Sequence, residues 1–235
     1  MENNFFTMLW KAFLHCLQGI PLTLELTAAS VIAGFVLAIP LAMIHAPRDT
    51  WGAKIVRAYT YFFTGTPLLI QLYLFYKGMP EFGWVQDLMQ KESWSFLKEG
   101  FFWAWLAFTL NTAAYSTEIF SGAIRNTPHG DIEAGEAYGL TNRQIMSRII
   151  LPSSLRRALP AYSNEVIMML QSTALASVVT LFEITGQALD FNTKYYQPFP
   201  AFISAAIIYL ILTSLMVYAF RRLERKYLKH LALTH

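Results

Sequence analysis

Long runs without charge set the pattern of this chain. Five segments are mostly apolar over about 20 residues, the length a helix needs to cross the hydrocarbon layer of a bilayer. They cover residues 22–45, 57–77, 101–125, 159–183 and 196–220. The third contains Glu118 and the fourth Glu165, each otherwise uncharged in its core. The alternation of barrel strands is absent, and backbone groups in lipid must pair internally, so the expected elements are helices. The fold class predicted is all-α integral membrane, with five transmembrane helices. Ahead of them, residues 1–21 place Asn4, Lys11, His15 and Gln18 on one helical face and Phe6, Leu9, Trp10, Phe13, Leu14 and Leu17 on the other. This pattern fits an amphipathic helix in the outer interface, a frayed terminus being the plainer alternative. It does not fit a cleaved signal, which needs a basic start and an unbroken apolar run.

Residues 22–225 then form one transmembrane domain, and 226–235 a tail. Of the 18 basic residues, 13 fall in the loop between spans one and two (Arg48, Lys54, Arg57), the loop between three and four (Arg125, Arg143, Arg148, Arg156, Arg157) and the end of the chain (Arg221, Arg222, Arg225, Lys226, Lys229). The side rich in Lys and Arg faces the cytoplasm. The amino terminus is therefore expected outside and the carboxyl terminus inside. The outer loop, residues 78–100, carries Glu81, Asp87, Glu92 and Glu99 among Trp and Phe, and suits either a solvated loop with a short helix or a docking surface.

Composition narrows the class. Hydrophobic residues make up 55% and charged residues 14%, against about 25% charged in a soluble domain. With a mean hydropathy of +0.37, the chain belongs in a lipid bilayer. Cys16 is the only cysteine, which rules out an internal disulfide and a cysteine-based zinc site. His15 and His45 are not spaced with other donors, so no metal is expected. The net charge of +3 is too small to imply nucleic acid.

The loop over residues 126–158 is too long and polar for a passive connector. Pro128 ends one helix, Asp131 is placed to cap a short helix over 132–138, and Gly139 is placed to stop it. A second helix is expected from Thr141 or Asn142, ending before Pro152. The pair makes a compact knob, with Glu133, Ala134, Gly135 and Glu136 expected on its surface, suited to a groove on a cytoplasmic partner.

These residues carry a resemblance. Glu133-Ala134-Gly135, Gly139 and Ile149-Ile150-Leu151-Pro152 are spaced as in the E-A-A loop of ATP-binding-cassette importer permeases, with Gly135 where a second alanine is usual. Thr64-Gly65-Thr66-Pro67-Leu68 with Gln71, the run from Leu110 to Phe120, and the runs Leu159–Ile167 and Ser172–Ser177 resemble the polar-amino-acid branch. The pattern is most similar to the M-type permease subunits of histidine and lysine/arginine/ornithine importers, with opine permeases as near relatives. The resemblance implies a second permease subunit of Q type, a cytoplasmic ATPase dimer and a periplasmic binding protein. It implies no cofactor on this subunit, with ATP and Mg held by the ATPase. No G-x-x-x-x-G-K-[ST] loop is present, in agreement. Glu133, Ala134, Gly135, Glu136 and Gly139 would then couple the permease to the ATPase.

Ionisable residues inside a membrane are costly and point to function. Glu118 and Glu165 are the clearest. Glu25 is placed to snorkel outward, and Glu183 is expected to be solvated at the outer end of span four. No Lys or Arg lies deep in a span, so the field is negative and favours a cation. Asn111 and Glu118, Glu165 and Ser172, and Thr64 and Gln71 are each seven apart, nearly two helical turns, and so share a face. Glu165, Glu118, Asn111, Gln71, Thr66 and Ser172 are the candidate substrate ligands, helped by carbonyls freed near Gly65 and Pro67. The alternative for the neutral side chains is bonding between helices. The Met168-Met169 pair is expected to serve packing, and Ala28, Ala29, Gly34, Ala205 and Ala206 close helix contacts. A self-contained transporter would show inverted repeats, and a membrane enzyme a cluster of reactive groups. Neither pattern is present.

Overall fold

The computed structural model describes residues 4–47 and 49–228, so Arg48 and residues 229–235 of the tail, Lys229 among them, lie outside it. The described residues form helices and no strand. In chain order these are α1 (Phe5–Leu17), α2 (Ile20–His45), α3 (Trp51–Gly65), α4 (Leu68–Tyr73), α5 (Gly83–Gln90), α6 (Gly100–Arg125), α7 (His129–Ala137), α8 (Asn142–Ile145), α9 (Leu151–Ser172), α10 (Ile184–Tyr195) and α11 (Pro198–Tyr227). By length and composition α2 and α11 each suffice to cross a bilayer. A bent pair running from Asn142 to Tyr195, with a 43° bend, adds a third.

The centre of the bundle is α6, packed against α2, α9, α3 and α4. Its 26 residues span about 39 Å. The α2 seam is Thr23, Leu26, Thr27, Ser30, Gly34, Ala38, Ala42 and His45, all buried at helical spacing. Small residues let backbones approach where lipid gives no hydrophobic push between helices. Ala28, expected in such a seam, is exposed, because it lies off this stripe. Glu25 is exposed too.

The second apolar segment is two helices. Thr66 and Pro67 are extended (ψ 145° and 131°), and the chain restarts as α4. Pro67 supplies no N–H and disfavours the helical conformation in Thr66, which breaks the ladder there. The outer loop folds onto the start of α6, where Val85, Leu97 and Trp103 are buried together and the Trp103 indole donates to the Leu97 carbonyl at 2.8 Å. In α1, Met8, Ala12 and Cys16 form a buried stripe against α10 and α11, while Phe6 and Trp10 stay exposed. His15, on its polar side, meets Asp190 at 2.8 Å.

The knob differs from expectation in three places. Its first helix begins at His129 with Pro128 ahead of it, so Asp131 sits in the first turn, complementing the helix dipole without capping. The second helix does not end before Pro152. It runs from α8 through a π-helical turn (Met146–Ile150) straight into α9, and Pro152 falls in the first turn after the widened ladder, where its missing N–H costs least. Gly135 is buried, not on the surface: a Cβ there would lie 2.9 Å from Ile149 Cδ1 and 3.1 Å from Ile145 Cγ1. The two knob helices touch at this glycine. Gly139 does stop α7, at φ +72°, with Leu140 N–H bonding to the Gly135 carbonyl and Gly139 N–H to that of Glu136. This is a Schellman stop, which only glycine adopts without strain. Thr141 and Gln144 bond reciprocally at the start of α8 as a capping box.

Candidate functional site

Where the α3–α4 break faces α6 and α9 there is a cavity of about 330 Å³. The break contributes Thr64, Gly65, Thr66, Pro67 and Leu68, α6 contributes Asn111 and Tyr115, and α9 contributes Glu165, Met168, Met169 and Ser172. Glu165 is the one charged residue of this lining, and no Lys or Arg is among it. The residue is 6% exposed, and its Oε1 accepts a hydrogen bond from Thr112 Oγ1 at 2.9 Å. Thr112 is pressed against the position of Gly34 on α2, so the close α2–α6 approach holds the donor in place.

A side-chain network fixes the break. Gln71, 1% exposed, sits behind the wall, and its Nε2 is shared among the Phe63 carbonyl (2.8 Å), the Thr66 carbonyl (3.0 Å) and Thr66 Oγ1 (2.8 Å). Asn111 Nδ2 donates to Gln71 Oε1 at 3.0 Å and to the Phe63 carbonyl at 3.1 Å. Tyr115 donates to the Thr64 carbonyl at 3.3 Å. The carbonyls of Phe63, Thr64 and Thr66 are thus engaged by the protein itself, contrary to the expectation that carbonyls freed here would receive an ammonium group. Buried polar groups take partners wherever the fold supplies them.

Four of the six candidate ligands therefore meet at one cavity: Glu165, Asn111, Thr66 and Ser172. Gln71 stands directly behind them as a support. Glu118 does not join them. It points from α6 to His45 Nε2 at 3.1 Å and Thr60 Oγ1 at 2.6 Å, two turns or about 10 Å from Asn111. The sevenfold spacing placed the two on one face but says nothing of depth. Tyr115, Met168 and Met169 line the cavity and were not singled out as ligands; Tyr115 is one turn from Asn111, and Met168 is one turn before Ser172.

At the knob, Glu133, Ala134 and Glu136 are exposed and Gly139 forms the turn. Tyr138 beside it is 88% exposed.

Glu183 departs from its expected solvated place. It is fully buried, caps α10 by accepting from Thr185 N (2.9 Å) and Gly186 N (2.8 Å), and takes the Tyr209 hydroxyl at 2.7 Å.

Known proteins are similar to this chain in both sequence and fold. Residues 30–229 match the family described as binding-protein-dependent transport system inner membrane component. The chain belongs to this family. It is thus an inner-membrane permease subunit of a transporter whose ATP hydrolysis resides in a separate ATPase subunit. It is 44% identical to the histidine/lysine/arginine/ornithine transport system permease protein HisM of Salmonella typhimurium over 95% of this chain and 96% of that one. It is 42% identical to the octopine transport system permease protein OccM of Rhizobium radiobacter, over 92% and 87% of the two chains. Among solved structures, an amino acid ABC transporter crystallised with histidines superposes with a TM-score of 0.80 at 28% identity, covering 96% of this chain and all of that one. The inward-facing MetNI methionine transporter has the same fold, with a TM-score of 0.69 at 19% identity, covering 97% and 99%.

Proposed function

We propose that this chain is the permease subunit of an ATP-driven importer that carries basic amino acids (histidine, arginine, lysine, ornithine) from periplasm to cytoplasm. The observation that carries the substrate class is Glu165, a carboxylate held at the wall of an amino-acid-sized cavity with one neutral hydroxyl for a partner and no basic side chain in the lining. A buried acid so placed is costly until a cation arrives, and a charge-assisted bond then contributes about 1.5–3 kcal/mol. In this assignment Glu165 receives the α-ammonium or side-chain cation. Asn111, Thr66 and Ser172 supply hydrogen bonds, with Gln71 holding the wall. The names of the 44% identical relatives support the choice of substrate.

The proposed topology is five spans, amino terminus outside and carboxyl terminus inside. One is the α3–α4 pair and another the continuous helix ending at Val179. The proposed assembly is a heterodimer with a Q-type permease, two copies of an ATPase and a periplasmic binding protein. ATP brings the ATPase subunits together, each gripping one knob through Glu133, Ala134, Glu136 and the turn at Gly139. Because α8 runs through the π-helical turn into α9, the knob and Glu165 share one continuous helical segment, with Pro160 between them, along which knob movement reaches the site.

The octopine permease relative keeps an opine importer as the second assignment. Uptake of labelled arginine into vesicles bearing the assembled complex, with histidine, lysine, glutamine and octopine as competitors, separates the two. Basic amino acids should compete and glutamine should not. Competition by octopine alone would favour the opine, and competition by glutamine equal to that of lysine would remove the cation assignment.

A further inference from the structure

Exposed or half-exposed positions on α6 line up as one stripe: Tyr115, Glu118, Gly122 and Arg125. Its upper end is the cavity wall, where Tyr115 and Asn111 both sit. Its lower end, toward the knob, is Arg125, whose guanidinium is folded back onto Ser121 with bonds of 2.7 Å and 3.2 Å. Midway lies Glu118, with 43% of its side chain exposed.

The surroundings of Glu118 are built to hold a carboxylate. Both donors, Thr60 from α3 and His45 from α2, reach the same oxygen, Oε1. Oε2 carries no hydrogen bond among the described residues. His45 is 3% exposed, and its Nδ1 is buried without a partner. A proton on Nδ1 would be an orphaned buried donor, which favours the tautomer with its proton on Nε2, donating to Glu118. Two donors thus hold one oxygen of a half-exposed acid and leave the other free of them. The inner end of α2 would hold the acid's rotamer through a buried ring, which a surface glutamate would not need.

We infer that Glu118, oriented by Thr60 and His45, is a second and weaker cation station for the transported amino acid, about one helical turn beyond Tyr115 of the cavity wall and about 10 Å along α6 from Asn111, toward the knob. The inference rests on the proposed basic-amino-acid assignment of that cavity. A cation leaving Glu165 for the cytoplasm first passes the neutral hydroxyls of Thr64 and Tyr115 at the cavity wall. A second carboxylate one turn beyond Tyr115 gives the cation its next charged partner, and the weaker hold of a half-exposed group permits release. The chemistry recognised is a primary ammonium or guanidinium.

Thiol protection in the purified full complex tests this. With Cys16→Ser removing the only native cysteine of this chain, and the partners' cysteines accounted for by a complex without an added reporter, two reporters are introduced separately. Ser172→Cys reports on the cavity. Gly122→Cys reports one turn below Glu118, where a new Cβ meets nothing within 4 Å. Saturating L-arginine should slow labelling of both by at least fivefold. Adding Glu118→Gln should abolish protection at position 122 and leave that at 172. Glutamine should protect neither, and that comparison decides the matter if the Glu118→Gln complex fails to assemble. Protection at 172 but not at 122 overturns the second station alone, as does protection at 122 that survives Glu118→Gln. Position 122 never reacting, because another subunit covers the stripe, also overturns it. Protection at neither position removes the cavity assignment first and the second station with it.

Discussion

Two buried glutamates in this chain have opposite lives. Glu183, at the turn between the end of the long helix and α10, is fully buried and accepts two backbone N–H bonds and a tyrosine hydroxyl. Glu165, on α9, is 6% exposed and accepts one threonine hydroxyl. The first has its charge answered by a helix N-terminus and by Tyr209, which ties α10 to α11. The second sits on a helix whose own N–H groups are already used, beside an open volume. The number of donors the fold provides, and not burial, separates a structural acid from a receptor. Positive ends of helices satisfy a carboxylate outright. A mid-helix carboxylate keeps most of its bonding capacity for something else.

The sharpest way to break this contrast is to remove the structural acid. Glu183→Ala orphans two N–H groups and the Tyr209 hydroxyl in a buried turn, and should cost about 3 kcal/mol and much of the assembled complex. Thermal unfolding in detergent checks it, and an unshifted midpoint would deny Glu183 its structural role. Glu165→Gln should do the reverse, lowering arginine uptake at least tenfold while the melting midpoint stays within a degree or two. A third variant moves to the knob. Gly135→Leu should abolish arginine-stimulated ATPase activity of the complex, since the side chain would collide with Ile145 and Ile149. Gly135→Ala should leave it nearly intact, because the methyl of Ile149 can yield and alanine gains up to ~1 kcal/mol of helix propensity. Equal effects would show that close contact at Gly135 does not govern coupling.

The smallest effect is expected at Asp190. Its carboxyl is held below the ordinary 3.8 chiefly by the Lys194 ammonium, with His15 adding to it. Such a link stabilises above the ordinary value and is lost as pH falls below it. Asp190→Asn should therefore lower stability slightly at neutral pH, by less than ~1 kcal/mol for a part-exposed pair, seen as a small drop in the melting midpoint, and not at all under strong acid. An effect that grew in acid would have the wrong sign.

Length and hydropathy alone mark α2 and α11, whereas α6 was readable only by accepting Glu118 inside an apolar run. The Glu133–Pro152 spacing marked the knob, and Gly139 its stop, because glycine takes a positive φ at least cost. What the sequence hid was continuity and depth. Pro152 signals a helix end in water-soluble chains, yet follows a π-helical turn here and interrupts nothing. The Thr66–Pro67 break was visible only as a weakness, and the satisfaction of its carbonyls by Gln71 and Asn111 depends on contacts across helices. Helical spacing put Glu118 and Asn111 on one face and could not tell that 10 Å separates their surroundings. Glu183 was misplaced for a related reason: its cap on α10 exists only because the chain turns back at Thr180, a left-handed residue with φ 63° that nothing in the local pattern announces.

The central claim is that a cation is received by Glu165 on this subunit. Equilibrium binding of labelled arginine to the assembled complex, in the absence of the periplasmic binding protein, tests it most directly. Glu165→Gln should weaken binding at least tenfold, about 1.4 kcal/mol, in a complex of unchanged composition. An unchanged affinity in that complex would place the receptor elsewhere and contradict the account.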